Sequence, residues 1–397
     1  MPDALSLYLH VPFCSTRCGY CHFNTFEGLE RLFEPFTDAL CAESRDWAGR
    51  LHSQWRVGTI FLGGGTPTHL PLPQLVRIMR ALREQWDWSD DIEVTSEANP
   101  TRITQAYLEG MLASGINRIS FGAQSFDAGL LRMLDREHTV DQIGVAVRMA
   151  RTAGFTNISL DLMYGLPTQT LEHWRQSLAA AVALEPEHLS LYGLTIDEGT
   201  AFKKRVEKGL LPEPDQDLAA DMYELAESML AEAGFRQYEI SNWARLQKEC
   251  HFVGGEDLSH QMLLPSRHNL TYWLNEPYLG FGPGAHSCFG GRRFWNINAP
   301  QTYIEQLGRA ESVEGGAEVI GAALERAETV ILALRLNEGI SRTRFTQRFD
   351  VSLDDLYGPV LIQCAAWRLL EDDGQRLRLT PRGRLLSNEV FQRLLPD

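Results

Sequence analysis

Three cysteines stand close together near the start of the chain, Cys14, Cys18 and Cys21 in "HVPFCSTRCGYCHF". Thiolates are soft ligands, and three of them on one loop suit either zinc or an iron–sulfur cluster. The loop follows a strand-like run and contains Ser15, Thr16 and Gly19, so it is able to curl round a compact group. Zinc would need a fourth ligand, which His10 or His22 is placed to supply, but zinc ligands usually come as two spaced pairs and no second pair follows. A cubane cluster held by three thiolates leaves one iron without a protein ligand, an open position for a small molecule. The other cysteines, Cys41, Cys250, Cys288 and Cys364, are scattered, and seven is an odd total. A disulfide framework is therefore the poorer reading.

More chemistry-bearing groups recur at the ends of strand-like runs. "FLGGGTPTHL" places Gly63, Gly64, Gly65 and Thr66 where missing side chains let backbone approach a ligand. It lacks the Gly-Lys-Ser/Thr of a phosphate loop. Glu97 ends "TSEA", Gln124 follows "FGA", Arg136 lies in "LDREHT", and Asp161 sits inside "SLDLMYG". Singly, each has a plainer reading: the glycines as turns, Arg136 with Asp135 and Glu137 as a solvated charge run. The set, on successive strand ends, is what points to one crevice.

The elements that must position these groups alternate regularly. "SLYLHV", "VGTIFLG", "DIEVTSEA", "NRISFGA", "NISLDLMYG" and "HLSLYGLT" read as strands, with amphipathic stretches such as "LPQLVRIMRALREQW" between them. Gly115 and Gly154 read as helix ends. Six strand–helix repeats imply a parallel sheet with right-handed crossovers, open or partly rolled, with function at the carboxyl ends of the strands. Residues 215–245 read as helical and "RQYEISNWA" as a strand. From about residue 315, helices followed by "GQRLRLTPRGRLLSN" predict a winged-helix-like appendage. The expected division is 1–200, 201–314 and 315–397.

A chain of 397 residues is too long for one ordinary core. Its formal charge of −15 argues against a general nucleic-acid binder. No run of about 18 apolar residues spans a membrane. No signal-like start is present, so the cytoplasm is the expected compartment, free or peripheral at a membrane.

The C-x3-C-x2-C loop on the first strand of a β/α repeat resembles the radical S-adenosylmethionine superfamily. The resemblance implies a partial (β/α)6 barrel and a [4Fe–4S] cluster on Cys14, Cys18 and Cys21. S-adenosylmethionine would chelate the open iron and be cleaved reductively to a 5′-deoxyadenosyl radical, with a reductant supplying electrons. "GGGTPT", "SEANP", "R-x-S-x-G-x-Q-S-F", "LDREH" and "D-L-M-Y-G-L-P" further resemble the oxygen-independent coproporphyrinogen III oxidase-like branch, from residue 6 to about 170. That match implies Tyr8 and the backbone of Tyr20 beside S-adenosylmethionine. It also implies Gly64, Gly65, Thr66 and Glu97 at the ammonium, Arg136 at the carboxylate, and Gln124 and Asp161 at the ribose.

Within the branch, Phe23 stands where the oxidative decarboxylases carry a further cysteine. "SRHNLTYW" supplies the H-N-x-x-Y-W motif of the HemW heme chaperones as His268, Asn269, Tyr272 and Trp273. The C-terminal "LRLNEGI" and "LTPRGRLLSNEVF" resemble the same subgroup. Two departures are His22, where an acidic residue is expected, and the long 246–265 stretch. The resemblance implies heme as a ligand and acceptor hemoproteins as partners, with His268 as a candidate iron ligand. Cys250, His251 and His286 are its rivals. On the residues alone, His268 and Asn269 fixing a turn while Tyr272 and Trp273 pack in a core is the simpler account. An enzyme, either a coproporphyrinogen decarboxylase or another radical enzyme such as a methyltransferase, is the alternative function.

Overall fold

The computed structural model describes residues 3–51, 54–247 and 262–396. Six strand–helix units run in chain order. They are β1 (Asp3–Val11) with α1 (Phe33–Leu51), β2 (Trp55–Gly64) with α2 (Leu72–Gln85), and β3 (Asp87–Ala98) with α3 (Gln105–Ala113). Next come β4 (Arg118–Gln124) with α4 (Ala128–Met133) and α5 (Val140–Ala153), β5 (Ile158–Tyr164) with α6 (Leu171–Ala183), and β6 (His188–Gly193) with α7 (Ala201–Glu207). All six strands are parallel and lie in sequence order. The expected glycine helix ends hold: Gly115 and Gly154 take φ of +102° and +107°.

Side-chain alternation explains how this sheet makes a site. One face of β1 sends Leu5, Leu7, Leu9 and Val11 into the helices, all of them buried. The other face carries Ser6, Tyr8 and His10. The same face is polar on the neighbouring strands, with Thr59 on β2, Glu93, Thr95 and Glu97 on β3, and Ser120 on β4. Asp161 on β5 and His188 and Ser190 on β6 continue it. Buried polar groups are tolerated only when paired, and here they pair across strands: Thr59 with Ser6, Ser120 with Asp161, Ser159 with His188.

The sheet does not close on itself. Beyond β6, α8 (Gln216–Glu232) leads to β7 (Phe235–Glu239) and β8 (Asn242–Gln247), with β8 antiparallel to β6 and β9 (Met262–Leu263) pairing with β8. The single strand expected in "RQYEISNWA" is thus a hairpin, turned where the Glu239 carboxylate accepts the Ser241 N–H. Next come α9 (Arg267–Trp273), β10 (Tyr278–Phe281), β11 (His286–Phe289), β12 (Arg292–Asn296), α10 (Pro300–Gly308) and β13 (Glu314–Val319). On the other edge β10 is parallel to β1, and β11, β12 and β13 continue antiparallel.

A second hydrophobic core begins with α11 (Ala322–Leu334). It continues through β14 (Ile340–Ser341), α12 (Arg342–Phe349), α13 (Leu353–Ala366), β15 (Leu370–Asp372), β16 (Arg376–Leu379), α14 (Pro381–Leu385) and α15 (Ser387–Leu394). The strands form an antiparallel sheet in the order β14, β16, β15. The expected boundary lies after residue 314. It falls on β13, whose whole length pairs with β12 of the main sheet.

Candidate functional site

A cavity of about 370 Å³ opens at the carboxyl ends of β2 to β6 and is roofed by the cysteine loop. Cys14, Cys18 and Cys21 all line it. Backbone bonds fix the loop: Cys14 N–H to Phe26 O (2.9 Å), Phe26 N–H to Pro12 O (2.7 Å) and Cys21 N–H to Cys18 O (3.0 Å). Ser15 and Thr16 both donate to the Glu137 carboxylate, at 2.7 and 2.6 Å. The loop is thereby tied to the helix-start region that carries Arg136. Burial pushes the Cys14 thiol up to about 11, with the Thr66 hydroxyl opposing.

Arg136 decides the electrostatics of the cavity. One terminal nitrogen donates to Cys18 Sγ at 3.3 Å and the other to Gly122 O at 2.7 Å. Its Nε is buried without a partner, and among the described residues no carboxylate is paired with it. The flanking acids are not a solvated run: Asp135 pairs with Arg205 at 2.8 Å and Glu137 holds the loop. Half-buried and without a carboxylate partner among the described residues, Arg136 offers positive charge to the cavity beside the thiols.

On the opposite wall Glu97 accepts the Gly64 N–H at 3.1 Å. Burial, with the Asp161 charge adding, pushes its carboxyl up to about 8. Asp161 is also shifted upward by burial, against the Ser120 hydrogen bond of 2.9 Å. Two neighbouring carboxyls facing one void can accept an ammonium and hydroxyl groups. Gly64, at φ +100°, lies against His10, whose ring a Cβ would meet at 2.4 Å. Gly65 lies against the backbone of Phe13 and Val11, whose oxygens a Cβ would meet at 2.6 and 2.8 Å. Only glycine lets the β2 end pass under the cysteine loop here.

The structure brings Tyr20, Gly64, Gly65, Thr66, Glu97, Gln124, Arg136 and Asp161 to this one cavity with the three cysteines. Tyr8 lies just below the lining. It hydrogen-bonds His10 Nδ1 at 3.0 Å, while His10 Nε2 meets Asn24 O at 2.8 Å. His22 Nδ1 pairs with Asp197 at 2.9 Å, linking the cysteine loop to the segment after β6. No three His, Cys, Asp or Glu side chains among the described residues gather closely enough to hold a single metal ion. Cys250 and His251 lie outside the described residues.

His268, Asn269, Tyr272 and Trp273 are not at the cavity. They form α9, which closes the lower end of the lumen, about five residues or ~16 Å down β2 from Gly64. Glu93 accepts the N–H groups of Arg267 and His268, and Ser266 caps the helix by accepting the Asn269 N–H. His268 is 1% exposed. Its Nδ1 bonds Thr59 at 2.7 Å and its Nε2 bonds Tyr272 Oη at 2.9 Å. Its ring stacks on Phe61. Burial and the Arg118 charge push the imidazole down to about 3. Trp273 lies under the Arg335 guanidinium, 4.3 Å from the ring centre. The turn expected at His268–Asn269 is a helix start, and Tyr272 is half-buried with its ring edge-to-face against Tyr278 at 4.7 Å.

Comparison with known proteins fits these features. Residues 8–181 match the model of the radical SAM superfamily, and residues 325–386 match the HemN C-terminal domain. Heme chaperone HemW of Bacillus subtilis is 37% identical over 393 residues, covering 99% of both chains. The chain belongs to the HemW family. Within that family it is also 37% identical to heme chaperone HemW of Mycobacterium tuberculosis, over 98% of this chain and 94% of the relative. A mouse mitochondrial radical S-adenosyl methionine domain-containing protein is 35% identical, over 99% of this chain and 87% of its own length. Among solved structures, coproporphyrinogen III oxidase (HemN) from Escherichia coli superposes with a TM-score of 0.84 at 25% identity, over 99% and 91% of the two chains.

Sequence reasoning missed Glu137 as the anchor of the cysteine loop, and Met163, Tyr192 and Asp197 as lining residues. Tyr192 and Met163 carry the signal that found the others, since both lie at carboxyl ends of strands. Asp197 lies four residues beyond β6 in an irregular segment, and only the fold brings it to His22.

Proposed function

We propose that this HemW-family protein holds a [4Fe–4S] cluster on Cys14, Cys18 and Cys21, binds S-adenosylmethionine in the cavity beneath it, and binds heme for delivery to acceptor hemoproteins. The observation that carries the cofactor reading is the convergence on one cavity of three thiols, two raised carboxyls and a half-buried Arg136 without a carboxylate partner among the described residues. The donor set fits the group: three thiols on one loop are soft ligands that suit iron. When bound, such a cluster would supply the reducing electron for cleavage of the sulfonium.

The protein's own residues do the positioning. Arg136 pairs with the amino-acid carboxylate, Glu97 and the backbone about Gly64 take the ammonium, and Asp161 and Gln124 take ribose hydroxyls. Glu137 keeps the cysteine loop over them. The heme part rests on the relatives named heme chaperones and on near-complete coverage of their length. Among the described residues no helix is long and apolar enough to cross a membrane. We place the work in the cytoplasm or at a membrane surface reached through the acceptor.

The second reading is a coproporphyrinogen III enzyme, favoured by the fold shared with the Escherichia coli oxidase. Phe23, 56% exposed at the cavity mouth, stands against it because that position would hold the extra cysteine. The test gives the reconstituted protein hemin and an apo-hemoprotein in one assay and coproporphyrinogen III in another, both anaerobic. Heme transfer without decarboxylation is expected. Turnover of coproporphyrinogen III, or no transfer, overturns the proposal.

A further inference from the structure

The face that carries the lumen's polar residues runs on past β1 into β10–β13, where no strand–helix unit covers it. On it His286 stands opposite Trp295 in the β11–β12 ladder, with ring centroids 5.5 Å apart and planes 26° from parallel. His286 is exposed, and neither ring nitrogen has a hydrogen-bond partner among the described residues. The other described histidines differ. His10, His188 and His268 use both nitrogens, and His22, His69, His138 and His173 each use one.

Close packing over glycine fixes these two rings. Trp295 lies directly over Gly316, where a Cβ would meet the indole at 2.4 Å. Gly280, the neighbour of His286 across β10 and β11, likewise carries no side chain into the face. A neutral imidazole is a common iron ligand, and an indole stacked on its face fixes the ring while leaving the ring nitrogens free. Partial burial and Arg293 push the His286 imidazole down, against Glu318, so it stays neutral at pH 7.

We infer that His286 is the side chain that ligates iron when this protein binds an iron porphyrin, with Trp295 stacked on the imidazole and holding it in place. The assignment rests on the heme reading above and moves the ligand away from the motif histidine His268, which cannot turn to a ligand without losing two buried hydrogen bonds. It also places heme next to the cysteine loop. Asn24 of that loop donates to Pro283 O (3.0 Å) and Asn298 O (2.9 Å), so the loop after β10 that leads into His286 shares an anchor with the cluster site.

Hemin titrations of the full chain, read by optical and paramagnetic-resonance spectra, test this. The variants are wild type, His286→Ala, His286→Gln, Trp295→Ala and Cys288→Ser. Circular dichroism and iron uptake establish that each is folded. Saturable binding by the wild type is expected. Both His286 variants should bind at least about tenfold more weakly and lose the histidine-ligand spectrum, with added imidazole restoring it to His286→Ala. Trp295→Ala should weaken binding with the ligand spectrum retained. Folded His286 variants with wild-type affinity and spectrum overturn the assignment and leave the heme reading standing, as does loss of the spectrum in Cys288→Ser alone. A wild type that binds no hemin overturns the heme reading and the assignment with it.

Discussion

At the upper end of the lumen Arg136 faces the cavity with Nε unbonded and no carboxylate partner among the described residues, and Glu97 and Asp161 are both pushed toward their neutral forms. At the lower end His268 bonds on both nitrogens, Glu93 takes two helix N–H groups, and Thr59, Ser6 and Thr271 complete the set. Both ends are buried and polar, and both contain residues that resemblance marks as functional. The difference lies at the motif residues: His268 bonds on both nitrogens, whereas Arg136 and the two carboxyls keep capacity toward an open cavity, and the lower end's unbonded Arg118 Nε and Trp273 Nε1 face no such void. Charges left without counterparts are costly unless a ligand completes them, whereas a completed network adds stability. The upper end is thus built for a ligand and the lower end for rigidity.

Four changes break or sharpen that contrast. The largest effect is expected from His268→Ala. It strands Thr59 and Tyr272 and opens space against Phe61, so denaturant unfolding should show a loss of about 3–4 kcal/mol. The hemin spectrum should keep its ligand signature. A stable variant with an altered spectrum would turn the lower end into a binding site.

Arg136→Met should behave in the opposite way. Stability should hold or rise, because an unpaired charge leaves the interior, while S-adenosylmethionine affinity falls by about 100-fold in calorimetry. Equal affinity would remove Arg136 from the site.

Glu97 gives a pH signature. Its carboxyl, raised to about 8 in the free protein, must lose a proton to pair with an ammonium. Affinity for S-adenosylmethionine should therefore increase by up to about tenfold per pH unit from about pH 6 toward 8. Glu97→Gln should flatten that slope. A wild type with no slope contradicts the assignment of Glu97 to the ammonium.

The smallest effect concerns Trp273. Its contact with Arg335 joins α9 to the second core, and Trp273→Phe, which weakens that contact and leaves the Arg335–Glu239 pair of 3.5 Å in place, should cost about 1 kcal/mol by thermal or denaturant unfolding without changing cofactor binding.

The six strands and the upper site were legible in the sequence because period-2 runs and strand-end groups are local signals. Glycines announced the crossing under the cysteine loop. The sheet extension β10–β13 was not legible. Gly280, Gly282, Gly284, Gly290 and Gly291 interrupt it, and its pairing is set by distant partners. The fate of "HNLTYW" was also hidden. Its histidine looks like a ligand in one dimension, and only the placement of Thr59, 209 residues away, shows both nitrogens occupied.

The most direct measurement is anaerobic reconstitution followed by iron and sulfide analysis, with paramagnetic-resonance spectra of the reduced protein before and after adding S-adenosylmethionine. About four irons and four sulfides per chain are expected, with a spectrum that shifts on adding S-adenosylmethionine. Both the cluster and the shift should be lost in a Cys14→Ser, Cys18→Ser, Cys21→Ser variant. Zinc in place of iron, or a cluster whose spectrum ignores S-adenosylmethionine, would contradict the account.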